Sequence, residues 1–292
     1  MWIFYVIIYA CIIGFFSVFR KKAAQESNFL FVLALSSTTG FLLIGWNFQQ
    51  AWILDQKYIL LILCKSFVVS LSWVFELYAV KNYFISALQP LSSIKVVFGF
   101  FASMLIFSEE TFWWQFIGVA IVGIGIFALN KEPKSSKNKY NDGTYKTKQK
   151  YKSILFFVLA CLCSETSAIF DKYIMQYALP NQMQWWYMLF ISAIVWIYFL
   201  VQCLINKKML ISKKDFKNFY IYIVAILLIL ADQLLFKSLT DPASKASIVS
   251  VLKQISTIVS VIYGAYFFKE PNLKRKLTYL GIILCGIIII LL

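Results

Sequence analysis

Long apolar runs separated by short polar segments dominate the pattern of hydrophobic and polar positions along the chain. The runs are continuous and do not alternate between apolar and polar residues, so they predict membrane-spanning helices and not the strands of a barrel. A helix crosses the hydrocarbon layer of a bilayer with about 20 mostly apolar residues. By this measure ten segments are candidate spans: Trp2–Phe19, Phe29–Trp46, Tyr58–Val80, Tyr83–Phe107, Phe112–Leu129, Ile154–Tyr173, Trp185–Ile205, Phe219–Phe236, Ala246–Phe268 and Leu277–Leu292.

The composition narrows the class of protein. Hydrophobic residues fill 61% of the 292 positions and charged residues 14%, whereas soluble domains carry about 25% charged residues. This balance excludes a soluble enzyme and predicts an all-α polytopic protein of the cell membrane. The net charge of +15 does not indicate a nucleic-acid partner, because the basic residues lie mostly in loops between apolar runs. The chain has no histidine, the commonest metal ligand and the usual acid–base group near neutral pH. We therefore expect no catalytic residue, metal or cofactor.

One polar stretch divides the chain. Lys131–Tyr151 is rich in lysine and has no apolar core of its own, which is typical of a solvated linker. We predict a first five-helix repeat at residues 1–130, a linker at 131–151 and a second five-helix repeat at 152–292.

The last two spans of each half share an order of residues. Small polar residues precede a lysine, a glutamate follows at the helix end, and two glycines five residues apart lie in the next span. The pattern is carried by Ser92, Ser93, Lys95, Glu110, Gly118 and Gly123 in the first half, and by Ser247, Ser250, Lys253, Glu270, Gly281 and Gly286 in the second.

The odd number of spans in each half sets the orientation of the second half relative to the first. A second unit of five helices enters the membrane from the side opposite to the first, so the halves are expected to be inverted repeats about an axis in the membrane plane. Such repeats are the usual basis of alternating access, with a substrate site near the midplane between them.

With these residues the chain resembles the EamA family of the drug/metabolite transporter superfamily. The resemblance covers nearly the whole chain except the linker and is strongest at Pro90–Leu129 and Lys245–Leu292. It implies ten helices in two five-helix repeats and a secondary transporter of small metabolites that works without ATP. The chain accordingly has no glycine-rich phosphate loop of the GxxxxGK[ST] type.

Ionisable residues inside the predicted spans are the candidates for function, since each costs about 2.5–3.5 kcal/mol on insertion scales. Six of them stand well inside the spans: Lys65, Glu76, Lys95, Glu165, Asp232 and Lys253. The set holds three acids and three bases, so structural pairing inside the bundle is the alternative for each residue.

Alignment of the halves assigns roles to these residues. When Glu110 is aligned with Glu270, Glu76 and Asp232 lie one helical turn apart, and Lys95 lies two residues from the position of Lys253. We predict that the two lysines bind an anionic group of the substrate and that Glu76, Glu165 or Asp232 binds a proton or a cationic group.

Two further residues join the predicted site. Trp73 shares a helix face with Glu76 and could hold a cation against its ring, although packing or lipid contact is an equally good interpretation. Glu165 lies in the middle of its span, where a low dielectric disfavours the charged form of a carboxylate. Glu165 or Asp232 is therefore the predicted proton-coupling group.

The predicted function is secondary transport of a small polar metabolite, with that small molecule and the lipid bilayer as partners. A flippase for a lipid-linked or amphiphilic substrate is the first alternative, and a membrane scaffold or receptor is the second. An intramembrane enzyme is the least favoured class, because the chain has no histidine.

Charge also predicts the orientation, because short cytoplasmic loops carry the excess of lysine and arginine. Most basic residues lie in the odd-numbered loops, Arg20 and Lys21 among them. The even-numbered loops hold only Lys57, Lys172, Lys237 and Lys245. We therefore predict a cytoplasmic linker and both termini outside, although members of the resembled family are often drawn with both termini inside.

Overall fold

The protein is described by a computed structural model over residues 1–45, 48–107, 111–130, 147–207, 213–269 and 273–291. Within these ranges the regular secondary structure is helical, with no strand. The helices are α1 (Trp2–Glu26), α2 (Phe29–Ile44), α3 (Phe48–Ala51), α4 (Gln56–Asn82), α5 (Ile85–Leu88), α6 (Ile94–Phe107), α7 (Trp113–Asn130), α8 (Thr147–Ile174), α9 (Pro180–Ile205), α10 (Lys213–Phe216), α11 (Phe219–Leu239), α12 (Ala246–Leu252), α13 (Ile255–Phe267) and α14 (Leu273–Leu291).

Seven helical segments are long and apolar enough to cross a membrane, and three shorter apolar helices accompany them. The shorter ones are Phe29–Ile44, Trp113–Gly125 and Leu277–Ile290. Together the ten fall on the apolar runs of the sequence. The described part of the chain is therefore an all-helical, multi-pass membrane protein, and the count of ten crossings stays a prediction.

Two boundaries differ from the sequence-based prediction. Helix α1 continues seven residues beyond Phe19 to Glu26, so Arg20 and Lys21 lie within a helix and not in a loop. Helix α8 begins at Thr147, inside the predicted linker, of which residues 131–146 lie outside the described part. The matched glutamates Glu110 and Glu270 also lie outside it.

Two spans that the sequence presents as continuous are interrupted. Between α5 and α6 the backbone forms a 3₁₀ turn at Gln89–Ser93, and Pro90 there has no N–H to continue an α-helix. Between α12 and α13 a turn at Lys253 and Gln254 interrupts the other span. Under the alignment of the halves these breaks lie at matching positions.

Helix packing follows the same twofold relation. Helix α1 packs against α11, and its counterpart α8 packs against α4, the counterpart of α11. Helix α2 packs against its own counterpart α9, and α7 packs against its counterpart α14. Exchanging the two halves therefore reproduces the main helix contacts.

Glycines allow the closest of these approaches. A Cβ added to Gly118 of α7 would lie 2.7 Å from the carbonyl oxygen of Gly286 in α14, and one added to Gly286 would lie 2.8 Å from that of Gly118. A side chain at either position would separate the two backbones, as expected where helices cross in a membrane.

Candidate functional site

A cavity of about 160 Å³ lies between the two halves of the chain, walled by α1, α4, α8, α11 and the two interrupted spans. A cavity of roughly 150 Å³ accommodates a benzene-sized molecule. The space in this state is therefore that of a small metabolite.

All seven residues singled out from the sequence, the six ionisable residues and Trp73, line this cavity. Lys65, Trp73 and Glu76 come from α4, Lys95 from α6, Glu165 from α8, Asp232 from α11 and Lys253 from the break before α13. The fold thus brings together residues that are far apart in sequence. Whether they bind substrate stays a prediction.

The two helix breaks contact each other at the wall of the cavity. Ser92 Oγ lies 2.8 Å from Thr257 Oγ1, and Gln254 Oε1 accepts hydrogen bonds from the hydroxyls of Ser92 at 3.3 Å and Ser93 at 3.4 Å. Irregular backbone at membrane depth is tolerated where it is buried in protein or lines a cavity. These bonds between the halves supply partners for polar groups that the breaks leave exposed.

Two carboxylates of the cavity form ion pairs with buried cations. Glu76 pairs with Arg20 of α1, whose side chain is 2% exposed and also lies over the Phe16 ring at 4.8 Å. Asp171 of α8 pairs with Lys65 at 2.5 Å. The Lys65 ammonium also lies 3.9 Å from the centre of the Tyr187 ring and 4.9 Å from that of Phe236.

Sequence reasoning missed Arg20 and Asp171 as site residues. Arg20 directly follows the apolar run of the first span and was therefore assigned to a loop. Asp171 lies inside the predicted sixth span but close to its end. One more helical turn at the end of the first span would have included Arg20, and counting charges up to the end of the sixth span would have included Asp171.

Trp73 is held by packing as well as facing the cavity. Its ring meets that of Tyr187 edge to face, with the ring centres 6.5 Å apart. This contact is the packing interpretation that the sequence left open, and it leaves part of the indole facing the cavity.

The remaining four charged groups have weaker partners. Lys95 Nζ donates to Ser164 Oγ at 2.9 Å, and Ser250 Oγ donates to Glu165 Oε1 at 2.5 Å. Lys253 lies 5.7 Å from the centre of the Tyr9 ring and has no carboxylate within ion-pair distance among the described residues. Asp232 is 8% exposed, and its Oδ2 has no hydrogen-bond partner in the described part of the chain.

A glycine makes room for the buried carboxylate of Glu165. A Cβ added to Gly99 of α6 would overlap Oε1 of Glu165 and lie 3.0 Å from Ser250 Oγ. The Glu165–Ser250 contact therefore depends on the absence of a side chain at residue 99.

Charge in the cavity is balanced, with four acids and four bases, but only two of the bases are paired with acids. Lys95, Lys253, Glu165 and Asp232 are left with hydroxyl, aromatic or no partners and are the groups able to meet a charged ligand. Where the structure describes the chain, no cluster of three or more acidic or cysteine side chains is placed to hold a metal ion.

The fold and the cavity define a multi-pass helical membrane protein with a polar site between two similar halves. The EamA-like transporter family matches residues 1–131 and 151–292, so the chain belongs to this family of transporters. Among curated proteins none matches the chain. A solved crystal structure, described only as that of a protein, superposes with a TM-score of 0.62 at 10% sequence identity and covers 96% of each chain. That likeness concerns the fold alone.

Proposed function

We propose that the protein is a secondary transporter that moves a small polar metabolite across the cell membrane by alternating access. The observation that carries this proposal is the polar cavity between the halves, at the point where their two interrupted helices meet. Helices interrupted in matching places are typical of transporters built from inverted repeats. The proposal includes ten crossings, with residues 1–130 and 152–292 as inverted repeats joined by a cytoplasmic linker at 131–151.

The substrate carries an anionic group that Lys95 and Lys253 bind. Both ammonium groups face the cavity, and neither is neutralised by a carboxylate within ion-pair distance in the described part of the chain. Glu76 contributes less directly, because its carboxylate is already bound by Arg20. Trp73 offers an apolar wall and a ring face to the same molecule.

Asp232 is the better of the two candidates for the proton-coupling group. Its Oδ2 has no hydrogen-bond donor among the described residues, whereas Glu165 accepts a short hydrogen bond from Ser250. Burial without a hydrogen-bond donor disfavours the charged form of a carboxylate, whereas a hydrogen bond from a donor favours that form. Proton uptake by Asp232 also changes the charge that a substrate meets in the cavity.

A thermal-shift screen of the purified protein against classes of metabolite tests the function. A ligand that binds the folded state and not the unfolded state raises the unfolding temperature, and the effect grows with ligand concentration. The stabilising compound is then tested for uptake into vesicles that contain the protein. If only amphiphiles raise the unfolding temperature, the result would instead favour a flippase. If no compound raises it and no compound is taken up into the vesicles, the result would contradict transport.

Proton coupling is tested in the same vesicles with a pH gradient. We expect the gradient to drive accumulation by the unaltered protein, and Asp232→Asn to abolish that drive while exchange of substrate across the membrane continues. Glu165→Gln should retain the response to the gradient. If uptake by the unaltered protein does not respond to the pH gradient, the coupling proposal is wrong.

A further inference from the structure

Both buried ion pairs of the cavity draw one partner from α4. Lys65 and Glu76 are eleven residues apart, which is about three helical turns and about 16 Å along the helix. They therefore lie on the same face of α4 at two different depths in the membrane, and both line the cavity.

The other partners lie near the C-terminal end of the first helix in each half. Arg20 lies six residues before the end of α1, and Asp171 lies three residues before the end of α8, the first helix of the second half. In inverted repeats these two helix ends point to opposite sides of the membrane. The Arg20–Glu76 pair is then nearer one side and the Lys65–Asp171 pair nearer the other.

Each of these residues is followed by a lysine that holds an interrupted span. Lys21 Nζ donates to the carbonyl oxygen of Tyr83 at 3.2 Å, just before α5. Lys172 Nζ donates to the carbonyl oxygen of Ser244, just before α12. Each charged dipeptide therefore connects α4 on one side to the start of an interrupted helix on the other.

We propose that the two ion pairs are the two gates of the transporter, which open in turn as the cavity faces one side of the membrane and then the other. This inference rests on the proposed function. Both pairs are formed in the present structure, and in this proposal each formed pair closes one end of the cavity. Opening one end hydrates that pair and, through Lys21 or Lys172, releases the interrupted helix beside it.

Removing one carboxylate should open its own end. In Glu76→Gln and in Asp171→Asn a buried cation loses its partner in the closed state, whereas water solvates that cation in the open state. The closed state is therefore destabilised relative to the open one.

Accessibility of a cavity residue measures the opening without a known substrate. The six cysteines are replaced, and Ser256 of the cavity wall becomes the single cysteine, Ser256→Cys. Its reaction with a membrane-impermeant thiol reagent is followed in vesicles, with the reagent added to one side at a time.

We expect Glu76→Gln to raise the labelling rate about tenfold or more from the side where α1 ends, and Asp171→Asn to do so from the opposite side. The exchanged pair Arg20→Glu with Glu76→Arg should return the rate towards that of the parent. This double variant also keeps the test informative if a single amide variant does not fold. Lys22→Gln breaks the exposed Lys22–Glu26 pair on α1 and is the matched control, expected to leave the rate unchanged.

The gate proposal is wrong if the labelling rate rises from the same side in both amide variants, or if it rises in neither variant. So would an equal rise in the Lys22→Gln control. These outcomes are separate from the proposed function, because ligand binding and uptake by the unaltered protein do not depend on them.

Discussion

Gly99→Ala tests the geometry around Glu165, because the new methyl group would occupy the place of the carboxylate oxygen. Glu165 is 4% exposed and receives its hydrogen bond from Ser250 at 2.5 Å. If the carboxylate moves aside, the protein loses a hydrogen bond to a charged group, about 1.5–3 kcal/mol. If it stays, overpacking costs about 1–3 kcal/mol. In either case the higher helix propensity of alanine adds about 1 kcal/mol to the free energy of unfolding.

Gly123→Ala is the matched control, since a Cβ there meets no atom within 4 Å. The propensity gain is common to both variants and cancels in the comparison. We therefore expect Gly99→Ala to be less stable than Gly123→Ala by about 1–3 kcal/mol, measured by denaturant or thermal unfolding in the same detergent.

A second substitution separates this contact from a general effect on α6. Glu165→Asp shortens the side chain by one methylene and withdraws the carboxylate from the added methyl group. The double variant Gly99→Ala with Glu165→Asp should recover part of the stability lost in Gly99→Ala. Equal stability of the two alanine variants, or no recovery in the double variant, would refute the reasoning.

Three further results are expected. Lys253→Gln should reduce uptake of an anionic substrate about tenfold or more while the protein stays folded, and the exposed Lys245→Gln should not; equal uptake in both variants would count against the site. Gly118→Ala should destabilise the protein by about 1–3 kcal/mol relative to Gly123→Ala, because its methyl group meets the backbone of α14, and equal unfolding midpoints would contradict this contact. A cysteine at Asn141, which lies outside the described residues, should be protected from an impermeant reagent in intact cells, and labelling there would reverse the predicted orientation.

The class of protein and its helical content follow from the sequence alone. Continuous apolar runs of about 20 residues have one common solution in a bilayer, since only a helix satisfies every backbone group within the segment. The candidate residues could also be identified from the local sequence, because a charge inside such a run is costly wherever the run packs. Glu165 and Asp232 could therefore be singled out before any contact between them was known.

The pairing of the charges, in contrast, depends on how the helices pack. Arg20 and Glu76 are separated by 56 positions and Lys65 and Asp171 by 106, and nothing in the local pattern predicts which base meets which acid. The sequence presented Glu76 and Asp232 as equivalent carboxylates in matching helices. Packing of α1 beside α4 gives the first an arginine, while Asp232 Oδ2 is left without a hydrogen-bond partner among the described residues.

The breaks in two helices also depend on tertiary contacts. Pro90 signals the first break in the sequence, but the residues around Lys253 continue their apolar run, so that run predicts one unbroken helix. An interrupted helix leaves backbone and hydroxyl groups without partners, which is costly in an apolar medium unless another segment supplies them. Gln254 and Thr257 from the opposite half supply partners to Ser92, and this supply exists only once the two halves have come together.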